Sequence, residues 1–406
     1  MKSIINIFCV MIPFPSMRRS LRKKLKQRLL ESKNNTSRFI RKIGRKPIVL
    51  WIDHSLGGGT ETYTRNQFAK LEKNNCIVRM QYWPWARLYS LTLGMNTKTT
   101  VYIKTLPEVY ACCRRLKISE LVVNNIVGYE NTLWILGFVR GLKNDLANNL
   151  KVSFRGHDFQ CLCPCFALID CDGNFCDFTY PRGCEYCWEH KKLSEDPRAD
   201  EILRSGAGKV CDWRKQWGNF FSDVVDEVIV FSQTIKNMFI RVYPQIINKI
   251  LVVPHETKSY PHVDVPLHDG INIAVLGNIA HSKGRGVVIE MSKHLSTYNN
   301  VKIIVIGTMT NPPDNILVTG AYNPDDLPNL MRKYQVDLVF ISSIWPETFS
   351  YTTSEAISMG LPVACYDMGA PAERVGAYNR GLVLKNISPS ENLMEIVNFI
   401  KKIQGE

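Results

Sequence analysis

Two glutamates eight positions apart, Glu347 and Glu355, stand in the run Pro346-Glu347-Thr348-Phe349-Ser350-Tyr351-Thr352-Thr353-Ser354-Glu355-Ala356, followed by Gly360-Leu361-Pro362. The preceding apolar run ends at Ile341 and reads as a strand, so Glu347 falls in the loop at its C-terminal end and Glu355 about two turns into the next helix. Both carboxylates can then face one ligand. The start of that helix offers backbone N–H groups without intrahelical partners and the positive end of the dipole, a place for a diphosphate, while carboxylates suit sugar hydroxyls. Taken alone, an E-x7-E spacing would more simply be two solvated surface glutamates.

Three further groups could act beside this pair. Gly277, Asn278, Lys283 and Gly284 lie in Leu276-Gly277-Asn278-Ile279-Ala280-His281-Ser282-Lys283-Gly284, where a lysine after a strand could neutralise phosphate. Gly57-Gly58-Gly59 follows the apolar run Ile48–Ile52 and precedes a helical stretch from Thr60, which lets backbone approach a ligand closely. His157-Asp158 comes directly after the run Val152–Phe154.

These residues together resemble the retaining glycosyltransferases of the GT-B fold, the glycogen-synthase-like group known as family four. The likeness rests on Glu347-x-Phe349, Glu355 followed by Ala356, the Gly360-x-Pro362-Val363 strand start, and the Gly277-x5-Lys283-Gly284 element. It extends over about 360 residues, from Lys46 to the end of the sequence, and is densest from Gly277 to Glu373. The resemblance implies transfer of a hexosyl or deoxyhexosyl unit from a nucleotide-sugar donor, with retention and without a catalytic metal. It assigns Glu347, His157 and Lys283 to catalysis. Donor binding falls to Gly58, Gly59, Gly277, Asn278, Lys283, Phe349, Ser350 and Glu355, with Glu355 on the ribose and Glu347 on the transferred sugar. The family commonly has an arginine where this chain has Asn278, and His281 and Arg285 are the candidates to replace it. A sugar-nucleotide epimerase or a phosphorylase of the same fold is the alternative within this likeness.

Seven of the thirteen cysteines crowd into residues 161–187. Cys184 and Cys187 form C-x2-C, half of a common structural zinc site, and Cys163 and Cys176 are the best candidates for the other half. The stretch from Cys163 to Cys176 resembles an insertion in some bacterial polysaccharide glycosyltransferases, which implies an acceptor that is a glycan or lipid-linked and a role in surface polysaccharide biosynthesis. Four thiolates would fill a tetrahedral site and leave no open position, so a zinc here would fold the insertion and take no part in the chemistry.

The elements that must hold these residues follow from composition and pattern. At 406 residues, with 45% hydrophobic and 22% charged side chains, the chain suits two α/β domains. The first has short β-branched runs at Ile48–Ile52, Ile77–Tyr82, Leu121–Val123, Val152–Phe154 and Val228–Phe231. The second has them at Ile271–Leu276, Val301–Ile306, Ile316–Val318, Val336–Ile341, Pro362–Tyr366 and Gly381–Leu384. Alternation of such runs with helical stretches gives two doubly wound Rossmann-like sheets, expected to face each other with the ligand site at their strand C-termini. The expected organisation is a basic extension over 1–46, a first domain over 47–260 with a cysteine-rich insertion at 157–190, a linker at 261–270 and a nucleotide-sugar domain over 271–406.

Charge is as unevenly spread as cysteine. Residues 1–46 hold 14 Lys and Arg against one acid, Glu31, which accounts for +13 of the formal +14 and leaves 37 basic against 36 acidic side chains in residues 47–406. A near-neutral body argues against a nucleic-acid-binding zinc protein, whose groove would carry its basic surface on the folded domain. Met17, Leu21, Leu25 and Leu29 recur at a four-residue step among lysines and arginines, the pattern of a basic amphipathic helix. The expectation is a cytoplasmic protein without a membrane span, held peripherally at the anionic inner face of the plasma membrane by residues 17–43. Deleting residues 1–46 should abolish co-sedimentation with anionic liposomes, and equal binding by the shortened protein would show that this segment is not the anchor.

Overall fold

The computed structural model describes residues 36–146, 150–178, 181–193, 200, 203–204, 206–266, 268–298 and 300–405. The Met17–Leu29 stripe lies outside these residues; of the basic extension, the described part is the helix Thr36–Lys42 and the connection to the first strand. Among the described residues no helix is long and apolar enough to cross a membrane.

The first sheet comprises β1 (Ile48–Asp53), β2 (Cys76–Trp83), β3 (Leu88–Leu93), β4 (Asn96–Ile103), β5 (Ile118–Val123), β6 (Lys151–Arg155), β7 (Glu227–Val230) and β8 (Ile250–Val252), in the order β4-β3-β2-β1-β5-β6-β7-β8. β1 pairs in parallel with β2 and β5, and β5 with β6, as the strand-helix alternation requires. At the other side β3 and β4 extend the sheet from β2 as an antiparallel meander, and neither of these two was among the apolar runs read from the sequence.

The second sheet comprises β9 (Ile271–Ile279), β10 (Val301–Met309), β11 (Leu317–Val318), β12 (Leu338–Ile341), β13 (Val363–Tyr366) and β14 (Gly381–Leu384), in the order β11-β10-β9-β12-β13-β14. Every adjacent pair is parallel. Both faces are covered, which is why these strands read as unbroken apolar runs. Ile273, Val275, Ile303 and Val305 face Leu393, Ile396 and Ile400 of the helix Pro389–Gln404. The alternate residues Ala274, Leu276, Ile304 and Ile306 join Leu327, Met331 and Ala356 on the opposite side.

The chain divides into two compact units, Met1–Arg155 with Lys192–Val228 and Gly156–Lys191 with Ile229–Glu406. The sequence-based boundaries counted residues 157–190 with the first domain, whereas the division groups them with the second. The reason is local bonding: Tyr243 Oη donates to the carbonyl of Cys161, Arg241 pairs with Asp177 at 2.8 Å, and Thr348 Oγ1 donates to the carbonyl of His157 at 2.9 Å.

In the first unit a buried ion network fixes the turn after β1. Arg79, 5% exposed on β2, lies 2.5 Å from both Asp53 Oδ2 at the end of β1 and Glu61 Oε2 in the first turn of the helix Gly59–Leu71. Thr64 Oγ1 and Asn124 Nδ2 also donate to Asp53, at 3.0 and 3.2 Å. The glycine loop 57–59 is therefore held at both ends by one guanidinium. Replacing Arg79 with Met leaves Asp53 buried without its cation, and should lower unfolding free energy by about 3–5 kcal/mol in urea denaturation.

Candidate functional site

The loop after β12 carries Glu347, and its path is set by the loop after β9. Ser342 Oγ donates to the carbonyl of Lys283 at 2.8 Å, and Ile344 N to the carbonyl of Ser282 at 3.0 Å. This approach requires Gly284: its φ is +80°, and a Cβ there would stand 1.8 Å from the carbonyl oxygen of Ser342. The loop after β13 closes from the third side, where Ala370 N donates to the carbonyl of Glu347 at 2.8 Å. A Cβ on Gly369 would come within 2.7 Å of the Glu347 backbone, so this position also has no room for a side chain.

Lacing of these loops brings Lys283 Nζ to 2.6 Å from Glu347 Oε2. Ser343 Oγ donates to the other carboxylate oxygen, Oε1. Glu347 is 3% exposed, while the lysine side chain remains 38% exposed. The sequence-chosen pair is thus joined, with the carboxylate inside and the cation facing out.

Nearby, Asn278 accepts a hydrogen bond from Thr308 Oγ1 at 3.1 Å, and Arg285 donates to the carbonyls of Thr310 and Asn311 at 2.7 and 3.2 Å. Gly277 has a φ of +102° with open space where a side chain would be.

The helix Tyr351–Ser358 starts at the N-cap Ser350, whose hydroxyl accepts from Thr353 N at 3.4 Å. Glu355 consequently lies in the second turn, closer to the helix start than the two turns expected from sequence. Its carboxyl accepts no hydrogen bond from the described residues. Burial raises its pKa, with nearby Lys258 opposing. Tyr260 and Tyr322 share this environment, and Tyr322 is pushed up to about 12 by burial first and by Glu355 second. A half-buried carboxylate without a protein donor can accept hydroxyl groups from a ligand.

His157 is 8% exposed, with its ring 4.7 Å from Phe231 and 5.4 Å from His255. His255 was missed by the sequence reading. It stacks on Phe349 at 4.3 Å and 27°, its Nδ1 lies 3.0 Å from Tyr351 Oη, and burial lowers its pKa to about 3. Arg374, also missed, holds its guanidinium 4.9 Å from the centre of the same phenylalanine ring and donates to the carbonyl of Ser350 at 3.1 Å. The one signal in the sequence was the position of His255 directly after Val252-Val253-Pro254.

Gly58 and Gly59 belong to the first unit, where Gly57 and Gly58 have φ of +86° and +78° and Gly59 opens the helix Gly59–Leu71. The other sequence-chosen donor and catalytic residues all lie in the second unit.

None of the cysteines of 161–187 is joined in a disulfide. Among the described residues no group of three or more His, Cys, Asp or Glu is arranged to hold a metal ion. The thiol of Cys187 is pushed up to about 12 by burial, and it hydrogen-bonds with Cys171 and neighbours Cys176. The set Cys163, Cys176, Cys184 and Cys187 is therefore not preassembled, and Cys171 has a place beside Cys187 that its spacing did not announce.

Residues 265–404 match the family model described as "Glycosyl transferases group 1". No curated protein matches the chain. Among solved structures the chain is similar to Anabaena HepE in complex with UDP-glucose, at 14% identity and a TM-score of 0.56 over 88% of this chain and 90% of that one. It is also similar to the apo lipopolysaccharide outer core galactosyltransferase WaaB, at 11% identity and 0.54 over 88% and 91%. A third is sucrose-phosphate synthase from Thermosynechococcus elongatus, at 13% and 0.53 over 89% and 90%. At such identities the likeness speaks for the fold: two Rossmann-like α/β domains of the GT-B type.

The raised pKa of Glu355 has a consequence for stability. An acid whose folded pKa exceeds its unfolded value binds more protons in the native state, so stability falls as pH rises from the unfolded value through the folded one. Glu355→Gln should raise the melting temperature at pH 7 and leave it nearly unchanged below pH ~4, where both states are protonated. An equal shift at both pH values would contradict the assignment of burial as the cause.

Proposed function

We propose that this chain transfers a hexosyl or deoxyhexosyl unit, with retention, from a nucleotide-sugar to a glycan or lipid-linked acceptor in bacterial surface polysaccharide biosynthesis. The observation that carries the reading is the Lys283–Glu347 pair, 2.6 Å apart beside the start of the helix Tyr351–Ser358 that bears Glu355. The family match of residues 265–404 and the likeness to a protein solved with UDP-glucose support it.

In this reading the departing nucleoside diphosphate draws Lys283 and the backbone N–H groups at Phe349, Ser350 and the helix start. Charge that develops on the leaving group is met by donors already in place, the largest usual contribution to catalysis. Glu355 accepts the ribose hydroxyls, Glu347 and His157 hold the transferred sugar, and Gly58 and Gly59 allow backbone to approach the donor. No metal is needed at the diphosphate. Peripheral attachment at the inner face of the plasma membrane through residues 17–43 belongs to the same proposal.

Glu347→Gln and Glu355→Gln should fail differently. A hydrogen bond to a charged group contributes roughly 1.5–3 kcal/mol, so Glu355→Gln should raise the dissociation constant for nucleoside diphosphate by about one to two orders of magnitude. Glu347→Gln should bind it almost normally and lose a large factor in turnover, because its contact strengthens as the glycosidic bond breaks. Calorimetry and turnover on an identified donor separate the two, and parental values in both variants would sink the reading.

A structural zinc on Cys163, Cys176, Cys184 and Cys187 is a separate proposal, motivated by the C-x2-C spacing, and it requires these thiols to draw together on metal uptake. Elemental analysis should find about one zinc per chain. Metal-free protein with full activity and an unchanged melting temperature would refute it.

A further inference from the structure

In the first unit a cavity of about 720 Å³ opens between the helices Leu106–Cys113 and Thr132–Asp145. This is the size of a small-molecule site. It exists because Gly137 and Gly141, four residues apart on one helical face, put no side chain into it. A Cβ at Gly137 would meet nothing within 4 Å. The walls are Leu106, Pro107, Phe138, the ring of Tyr110 and Trp134, and Trp134 leaves 56% of its surface exposed. Lys104 and Glu130 at the mouth follow the C-terminal ends of β4 and β5, the edge at which open α/β sheets bind ligands.

The polar groups around this groove, mostly engaged with one another, favour an amphiphile over a carbohydrate. Thr105 Oγ1 donates to Glu108 at 2.9 Å within a capping box, Tyr110 Oη donates to Asp145 at 2.8 Å, and Glu130 is hydrogen-bonded with Tyr89. Lys104 is exposed, and its ammonium has no partner among the described residues. A carbohydrate would bury many hydroxyls against walls with few free partners, at a cost for each one left unmatched. An apolar chain would not, and an anion at its end would meet Lys104.

We propose that this groove binds the apolar chain of a lipid-linked acceptor, with the acceptor's anionic head group at Lys104. Its identity as acceptor rests on the transferase reading above; the binding of an anionic amphiphile does not.

Decyl phosphate, titrated below its micellar concentration into the full chain by calorimetry, tests this. It should bind saturably, and inorganic phosphate and a soluble disaccharide should not. Gly137→Leu, which fills the groove from a position with free space, should weaken binding about tenfold or more without lowering the melting temperature. Trp134→Ala, at an exposed position, should weaken it in the same direction and serves if the leucine variant does not fold. Lys104→Gln should remove the preference for decyl phosphate over decanol. Absence of decyl phosphate binding, parental affinity in both groove variants, or groove-dependent binding of the disaccharide would overturn the proposal. Nucleoside diphosphate titrated into the same preparations reports separately on the donor site, so failure of the transferase reading is distinguishable from failure of the groove.

Discussion

A carboxylate that is 3% exposed must be matched by charge and hydrogen bonds to offset the water it has lost, and Glu347 sets this demand on the second unit. Lys283 and Ser343 meet it, and each comes from a different part of the chain. Ser343 is on the same turn as Glu347, four residues before it, but Lys283 could not reach Glu347 unless the turns after β9 and β12 ran within hydrogen-bonding distance of each other. That approach fixes the conformation of Gly284, and the turn after β13 then fits against the Glu347 backbone only because Gly369 lacks a side chain. Three neighbouring strands, β9, β12 and β13, end at one place for this reason, and their order in the sheet is the scaffold for one ion pair.

The first unit solves a similar problem by the same means. Asp53, 1% exposed at the end of β1, takes its cation from Arg79 on the adjacent strand, and the guanidinium reaches on to Glu61 across the glycine loop. A glycine sequence, Gly57-Gly58-Gly59, is thereby anchored on one flank by a buried carboxylate and on the other by one that is 20% exposed. Glycine gives such loops close approach, and the ion network keeps the entropy of their many conformations from dispersing the geometry.

Much of this was legible because parallel strands buried on both faces leave unbroken apolar runs, and every run named in the second half of the sequence is a strand. The β3–β4 meander escaped notice because Asn96–Ile103 is polar in its first half and only Val101 and Ile103 mark it as core. Glu347, Lys283 and Glu355 could be chosen from spacing, since residues that meet a ligand at a strand end are tied to the strand's own pattern. His255 and Arg374 could not. Their partner is the Phe349 ring, reached from 94 and 25 positions away in the chain, and no local periodicity encodes a ring stack between distant segments. The place of Cys171 was hidden for the same reason: C-x2-C spacing reports which thiols share a helix face, while the contact of Cys187 with Cys171 depends on how the turn at Asp170 folds back, where Lys191 Nζ donates to the Asp170 carbonyl at 2.7 Å.

The orientation of the central pair also bears on how an anion would enter. At the end of β9 Asn278 carries no charge and is bonded to Thr308, and Arg285, the first residue of the next helix, is engaged with two backbone carbonyls. Lys283 keeps 38% of its side chain exposed while its carboxylate partner keeps 4%. An anionic ligand therefore meets the ammonium first, with the carboxylate behind it. Were the two exposures reversed, the same 2.6 Å contact would present a negative charge to an approaching diphosphate. The site's sign is set by which end of the ion pair is buried, and burial is set by the glycines that let the three turns close around Glu347.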